Sequence, residues 1–191
     1  MVGALDLAGG ALQVLARRAA ARHGLSVTQL RVLGWLHVGP PPPARSSALA
    51  RELNVADPTV SDAIAALIRK GLVQRRTDPR DRRRQDLELT REGRAVAADL
   101  ARWTAPAEIA TSKLDAAAAE GLLQALLEVL ARLQELDLLP ALRACSTCAF
   151  LGPRDDDGRY RCLVDGSLMT VADLRVDCVD HKGRELVGSD Q

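Results

Sequence analysis

One segment constrains the fold more than any other part of the chain: a short helix that leads directly into a two-stranded hairpin. Pro58 fits the first turn of this helix, where its missing N–H costs no hydrogen bond. Gly71 is predicted to end the helix, because glycine readily adopts the left-handed conformation that follows a last turn. Residues 72–77 and 85–89 then have the pattern of two short strands. A helix followed at once by a hairpin leaves few architectures open.

Helical patterns surround this segment on both sides. Aromatic residues make up only 2% of the 191 residues and apolar residues 47%, so an aliphatic core of packed helices is favoured over a β-sandwich. Ser26 is a good N-cap, and the prolines at 40–43 predict an extended connector. The predicted helices cover residues 4–22, 26–38, 46–53, 59–70, 90–112 with a break at Pro106, and 115–139. This order predicts a mainly α fold with a small β-hairpin wing: a winged helix-turn-helix with long N- and C-terminal helices.

The distribution of charge is more informative than its total. The chain has a formal net charge of +1, but residues 69–84 contain eight basic and two acidic residues, a local net charge of +6. Taken alone, such a run is usually a solvated loop. Placed on a helix and a wing, it is the electrostatic footprint expected for binding a polyanion. The pattern therefore predicts a unit at residues 26–92 that binds duplex DNA.

The helix that begins at Pro58 is the candidate recognition helix. A helix fits the major groove, and its N-terminal residues face the base edges. The candidates for reading bases are Thr59, Ser61 and Asp62, with Ala63 and Ala66 as further candidates. The candidates for contacting phosphates or entering the minor groove are Arg69, Arg80, Arg82, Arg83 and Arg84.

The same segment resembles the MarR family of bacterial regulators. The matching elements are Thr59-Val60-Ser61, Lys70-Gly71-Leu72-Val73, the wing Asp78-Pro79-Arg80-Asp81-Arg82-Arg83, and Leu89-Thr90 followed by Gly93. The resemblance extends over about residues 5–139. In the family pattern the wing aspartate orients a wing arginine, and Asp81 with Arg83 is the matching pair here. The chain departs from the pattern at Asp62, where the family often has arginine, so base specificity cannot be assigned from this helix.

The resemblance implies a homodimer whose N- and C-terminal helices form the interface, which would account for the leucine-rich surface of residues 115–139. It also implies binding to a pseudo-palindromic operator, usually as a repressor, with a small-molecule effector as an option. No apolar run is long enough to span a membrane, and the N-terminus lacks a signal-peptide pattern, so we expect a cytoplasmic protein.

All four cysteines lie in a tail at residues 143–191, which we predict to be separate from a DNA-binding and dimerisation domain at residues 1–139. The tail has the spacing Cys145-x2-Cys148-x13-Cys162-x15-Cys178-x2-His181 and few apolar residues. A segment this small with so little core needs extra stabilisation, which a metal centre would supply. Two centres compete. Four thiolates match a [4Fe–4S] cluster and resemble high-potential iron–sulfur proteins, whereas zinc would use two close pairs, with His181 as an alternative ligand.

The predicted centre has two possible roles: a redox or metal sensor that controls DNA binding, or a staple that stabilises the dimer. The sequence favours the iron–sulfur cluster, and the alternative is a structural zinc tail with small-molecule control. We expect no enzyme, since no nucleophile–base motif surrounds the three histidines. A thiol oxidoreductase using Cys145 and Cys148 is the remaining enzymatic alternative, but the βαβ context it needs is absent from the pattern.

Overall fold

The computed structural model describes residues 1–39, 46–53, 55–77, 85–136, 138–139 and 142–184. Their contacts group the chain into two compact units, Met1–Ser112 and Lys113–Gln191. The predicted connector at 40–43 and the predicted wing tip at 78–84 lie outside the described residues. Within the described part, no helix combines the length and the apolar character that a membrane span requires.

The first unit contains the helix and hairpin segment together with the helices around it. Its elements are α1 (Val2–Arg22), α2 (Val27–Val38), α3 (Ser46–Leu53), α4 (Asp57–Arg69), β1 (Val73–Thr77), β2 (Gln85–Leu89), α5 (Arg91–Leu100) and α6 (Ala105–Thr111). The two strands pair antiparallel, with Val73 opposite Leu89 and Thr77 opposite Gln85. The mainly helical fold with one small wing hairpin is confirmed.

Local chemistry explains where these elements begin and end. Ser26 caps α2 in a capping box with Gln29, in which each side chain bonds the other residue's backbone N–H. The left-handed glycines Gly39 and Gly71, with φ of 83° and 68°, follow α2 and α4. The Thr90 hydroxyl accepts from Gly93 N at 2.9 Å and caps α5. The predicted N-cap of α2 at Ser26 and the predicted end of α4 at Gly71 are therefore confirmed.

The core of the first unit is aliphatic, as the composition predicted. Its largest fully buried side chains come from α2, α3, α4 and α5, together with the first residue of β1: Leu33, Leu49, Ile64, Leu67, Leu100, Val32, Val60 and Val73. Trp35 and Trp103 pack against this cluster and stay partly exposed. This core fixes the orientation of α4 and leaves its other face to solvent.

The predicted helix over residues 90–112 is divided into two. α5 ends at Leu100, and α6 begins at Ala105, so the break precedes Pro106 rather than falling on it. Pro106 lies in the first turn of α6, the position where a proline needs no N–H partner. The proline therefore starts a new helix instead of bending an existing one.

The second unit joins the last long helix to the cysteine segment. It contains α7 (Ala116–Glu135), a 3₁₀ turn at Cys145–Thr147, β3 (Tyr160–Arg161), β4 (Leu168–Met169) and a second 3₁₀ turn at Val171–Asp173. α7 packs against both 3₁₀ turns and buries Leu127. The predicted helix extended to residue 139, whereas α7 ends four residues earlier.

The boundary between the units also differs from the one expected at residues 139–143. α7 belongs with the cysteine segment, because the two 3₁₀ turns cover part of its apolar surface. Some of the leucine-rich surface that the sequence assigned to a dimer interface is thus used within the chain. Leu122 and Leu136 remain 44% and 66% exposed.

Candidate nucleic-acid interface and cysteine segment

The N-terminal half of α4 presents a small polar surface. Thr59, Ser61 and Asp62 are all exposed, while Val60 and Ile64 of the same helix are buried in the core. The helix therefore packs on α2 and α3 with one face, and the opposite face of its first two turns lies toward solvent. This is the geometry that a recognition helix needs, because groove contacts must come from one rigid, accessible face.

One of the further base-reading candidates is wrong. Ala63 is only 6% exposed and belongs to the core, so it is not available to a base edge. Ala66 is half-buried, and Arg69 is exposed at the C-terminal end of α4. Ala63 was a candidate because a small residue lets the helix backbone approach DNA, and small size alone does not distinguish the inner from the outer face of the helix.

Lys70 and Arg76 are basic residues of the +6 stretch whose partners lie within the first unit. The Lys70 ammonium donates to Gly24 O in the turn between α1 and α2. The Arg76 guanidinium on β1 donates to Glu88 on β2 at 3.0 Å, an exposed ion pair across the hairpin. The sequence placed both side chains in the basic patch, but it carried no signal for these partners. Arg80, Arg82, Arg83 and Arg84, with Asp81, lie outside the described residues.

The end of α4 is joined to α5 through Thr90. The Thr90 hydroxyl donates to Gly71 O at 2.6 Å, and its backbone N–H donates to Leu72 O at 3.1 Å. Gly93 lies against the same carbonyl: a Cβ added there would stand 1.8 Å from Leu72 O. These contacts set the direction in which the hairpin leaves α4.

The four cysteines are reduced thiols in the second unit. Cys145 and Cys148 are each 7% exposed, whereas Cys162 and Cys178 are half-buried. Backbone bonds bring the first and last of them together, since Cys178 N donates to Arg143 O at 2.9 Å and Cys145 N donates to Arg175 O at 2.8 Å. The fold thus brings the chain around Cys178 to the Cys145-x2-Cys148 loop.

The Cys145 thiol has a distinct environment. Burial raises its pKa, the backbone N–H of Arg175 opposes that rise, and the three other cysteines raise the pKa further. The Arg175 N–H donates to Cys145 Sγ at 3.3 Å. An N–H directed at sulfur is a common feature of thiolate centres, where it helps to balance the negative charge.

The His181 side chain is hydrogen-bonded to a residue of the loop between Cys145 and Cys148. Its Nε2 lies 3.0 Å from Thr147 Oγ1. The sequence carried no signal for a role of Thr147, because nothing distinguished it from any other residue between two cysteines. The neighbouring Ser146 hydroxyl is buried and has no hydrogen-bond partner within the described part of the chain.

Among the residues that the structure describes, no group of three or more histidine, cysteine, aspartate or glutamate side chains is arranged to hold a metal ion. The ligand set Cys145, Cys148, Cys162 and Cys178, with His181 as the alternative, therefore stays a prediction. What the structure adds is the packing of the two 3₁₀ turns, one of which contains Cys145, onto α7, and the Ser146 hydroxyl, which has no hydrogen-bond partner among the described residues.

Comparison with protein families gives one match, and it covers the candidate interface. The profile of the MarR family matches residues 23–84, from the turn before α2 to the hairpin. None of the curated protein sequences matches the chain.

Comparison with solved structures gives the same fold. A MarR family transcription regulator has 22% identity and a TM-score of 0.63, over 71% of this chain and 89% of its own. The MepR–DNA complex of Staphylococcus aureus has 22% identity and a TM-score of 0.60, over 69% and 97%. MepR of the same organism bound to ethidium bromide has 22% identity and a TM-score of 0.51, over 70% and 96%. The chain has a winged helix-turn-helix fold of the MarR type.

Proposed function

We propose that this chain is a transcription regulator of the MarR type that binds duplex DNA with α4 and the wing. The observation that carries the proposal is α4 itself: Thr59, Ser61 and Asp62 are exposed together on a helix whose opposite face is locked into the core. The family match spans the helix and the hairpin, and one structure of this fold is described as a DNA complex. The basic run that follows α4 supplies the charge for phosphate contacts.

The proposed assembly is a homodimer that places two copies of α4 in successive major grooves of a pseudo-palindromic operator, acting as a repressor in the cytoplasm. Asp62 would accept a hydrogen bond from cytosine or stay clear of the bases, since a carboxylate is repelled by phosphates. Nothing in this role requires catalysis.

The test of DNA binding uses operators selected from a random duplex pool by the full chain. In the variant R82A/R83A, we expect much weaker binding. We also expect the slope of log binding constant against log salt concentration to decrease in magnitude by about 1 for each phosphate that the wing no longer neutralises. The control K113A/R132A removes the same charge from exposed positions outside the basic stretch. Equal weakening in both variants, or none in either, would show that the wing does not bind DNA.

We also propose that Cys145, Cys148, Cys162 and Cys178 bind a thiophilic metal centre, an iron–sulfur cluster in preference to zinc. Support comes from four reduced thiols in one small unit, the N–H donated to Cys145 Sγ, and the buried Ser146 hydroxyl, which an anionic centre would provide with an acceptor. Iron and sulfide analysis after anaerobic purification, with a visible spectrum, tests this. Stoichiometric zinc without a visible band would exclude the cluster.

The role of this centre is either sensing or stapling, and DNA affinity before and after its removal separates the two. If DNA affinity were unchanged by removal of the centre, the centre would have only a structural role. If the centre is a structural zinc site, we propose that a small aromatic molecule controls DNA binding, an alternative supported by the ethidium-bound structure of similar fold. Equilibrium binding of ethidium to the full chain, with and without operator, tests that alternative.

A further inference from the structure

Thr147 lies where three parts of the second unit meet. Its hydroxyl donates to the carbonyl of Leu142 at 2.9 Å, and its backbone carbonyl accepts from Arg184 N at 3.2 Å. Leu142 N in turn donates to the Gln134 side chain of α7 at 3.0 Å. The residue between the first two cysteines is thus bonded to the segment after α7 and to the segment that follows Cys178.

The protons of this cluster can be assigned from its partners. A hydroxyl has one proton, and that of Thr147 faces the backbone carbonyls of Leu142 and Ala144, at 2.9 and 3.1 Å. When the hydroxyl proton is donated to one of these carbonyls, the hydroxyl oxygen accepts from His181, and Nε2 is then the protonated ring nitrogen. In the neutral ring this leaves the lone pair on Nδ1.

Two roles for His181 follow from this tautomer. As a ligand it would bind a metal through Nδ1, with the Nε2–H bond to Thr147 orienting the ring. As a positioning residue it would act through the Nε2–H bond alone, holding the chain after Cys178 against the Cys145-x2-Cys148 loop. The neighbouring backbone bonds favour the second role. Ala149 N donates to Lys182 O at 2.7 Å, and Cys148 forms an isolated antiparallel bridge with Gly183, so the imidazole adds a side-chain bond to backbone bonds that already join these two segments.

We infer that His181 and Thr147 are a positioning pair that closes a four-thiolate centre, and that His181 is not a ligand. The inference rests on the cysteine centre in the proposed function and specifies its ligands: four sulfurs and no imidazole. Four thiolates complete a tetrahedral zinc site or a [4Fe–4S] cluster without a fifth donor. Thr147 and His181 keep the two ends of the cysteine segment together while the centre forms.

The experiment separates the two nitrogens of the imidazole. The variant H181Q keeps an N–H donor near the position of Nε2 but has no counterpart of Nδ1, whereas H181A removes both. The variants T147S and T147V form the matched pair on the other side, with and without the hydroxyl. Each full-length chain is purified anaerobically, its iron, sulfide and zinc are measured, and its retention of metal is titrated against a chelator.

We expect H181Q and T147S to retain metal with the wild-type spectrum. We expect H181A and T147V to bind it about 10–100-fold more weakly, the usual effect of losing an outer hydrogen bond at a metal site. The double variant H181A/T147V should be no weaker than either single variant, because both changes remove the same bond.

Two results would overturn this inference without affecting the cysteine centre. If H181Q lost metal as H181A does and its spectrum changed, His181 would be a ligand. If H181A retained metal as the wild type does, the imidazole would have no positioning role. A wild-type chain without bound metal would overturn the cysteine centre and the inference together. DNA binding is measured on the same samples, so the failure of the regulator proposal is seen separately.

Discussion

At the scale of single residues, Gly93 is required by a close approach of two backbones. A Cβ at this position would stand 1.8 Å from Leu72 O, and that carbonyl is already bonded to Thr90 N. We therefore expect Gly93→Ala to destabilise the first unit by about 1–3 kcal/mol or more, because neither backbone can move without breaking the junction of α4, β1 and α5. Urea denaturation followed by circular dichroism measures this change in stability.

The control for this change is Gly34→Ala in α2. Gly34 is also helical, but an added Cβ meets nothing within 4 Å. Alanine there should stabilise the protein by about 0.5–1 kcal/mol, since it restricts the unfolded chain and suits a helix. If the two variants changed stability in the same direction, the close approach of Gly93 to Leu72 would not be the cause.

At the scale of elements, a hydrogen bond between His23 and Asp99 ties α1 to α5 and makes the stability of the first unit depend on pH. His23, the residue that follows α1, lies with its Nε2 2.7 Å from the Asp99 carboxylate. The hydrogen bond from His23 lowers the pKa of Asp99 below its ordinary value of 3.8. A lowered pKa in the folded state gives a stabilisation that is present above the ordinary pKa and is lost as the pH falls through the lowered one.

We therefore expect Asp99→Asn to be less stable than the wild type at neutral pH, and the difference to shrink as the pH falls from about 3.8 through the lowered pKa of Asp99. Urea denaturation at a series of pH values measures the difference. The control Asp62→Asn changes the same group on the exposed surface of α4. A difference between Asp99→Asn and the wild type that persisted undiminished in acid would assign the effect to something other than this carboxylate.

The helices of the first unit could be predicted from the sequence because the residues that mark their ends act locally. Ser26, Gly71 and Thr90 act within three residues of the helix ends that they define. The break between α5 and α6 was placed at Pro106 instead of just before it, since a proline in a helical pattern fits either an interior kink or a first turn. Ala63 was misassigned because its burial depends on how α4 packs, which residue type does not reveal.

At the scale of the whole molecule, the cysteine segment was predicted as a separate tail, and the structure joins it to α7. The sequence indicated that this segment has too few apolar residues for a core of its own. It did not show that α7 supplies the apolar surface, because that contact joins residues far apart in the chain. The bond between Thr147 and His181 escaped prediction for the same reason.

Exposed apolar side chains on α1 carry the last prediction, which concerns assembly. Val2 and Leu7 are each 76% exposed, and Leu12 and Val14 are about half as exposed, at 40% and 42%. A helix that leaves such a surface open is expected to bury it against a partner, which in the proposed regulator is a second copy of the chain. Leu7→Glu would place a charge in that interface, and we expect it to weaken dimerisation by about 10-fold for each 1.4 kcal/mol of association free energy removed.

Sedimentation equilibrium of the full chain measures this dimerisation, and operator binding is followed on the same samples. The control Val38→Glu alters a comparably exposed residue, 69% accessible, at the end of α2. Because the proposed regulator engages one operator with two copies of α4, Leu7→Glu should also reduce DNA affinity, and high protein concentration should restore it. A variant that stays dimeric at the wild-type dissociation constant would remove α1 from the interface and leave the exposed leucines of α7 as the next surface to test.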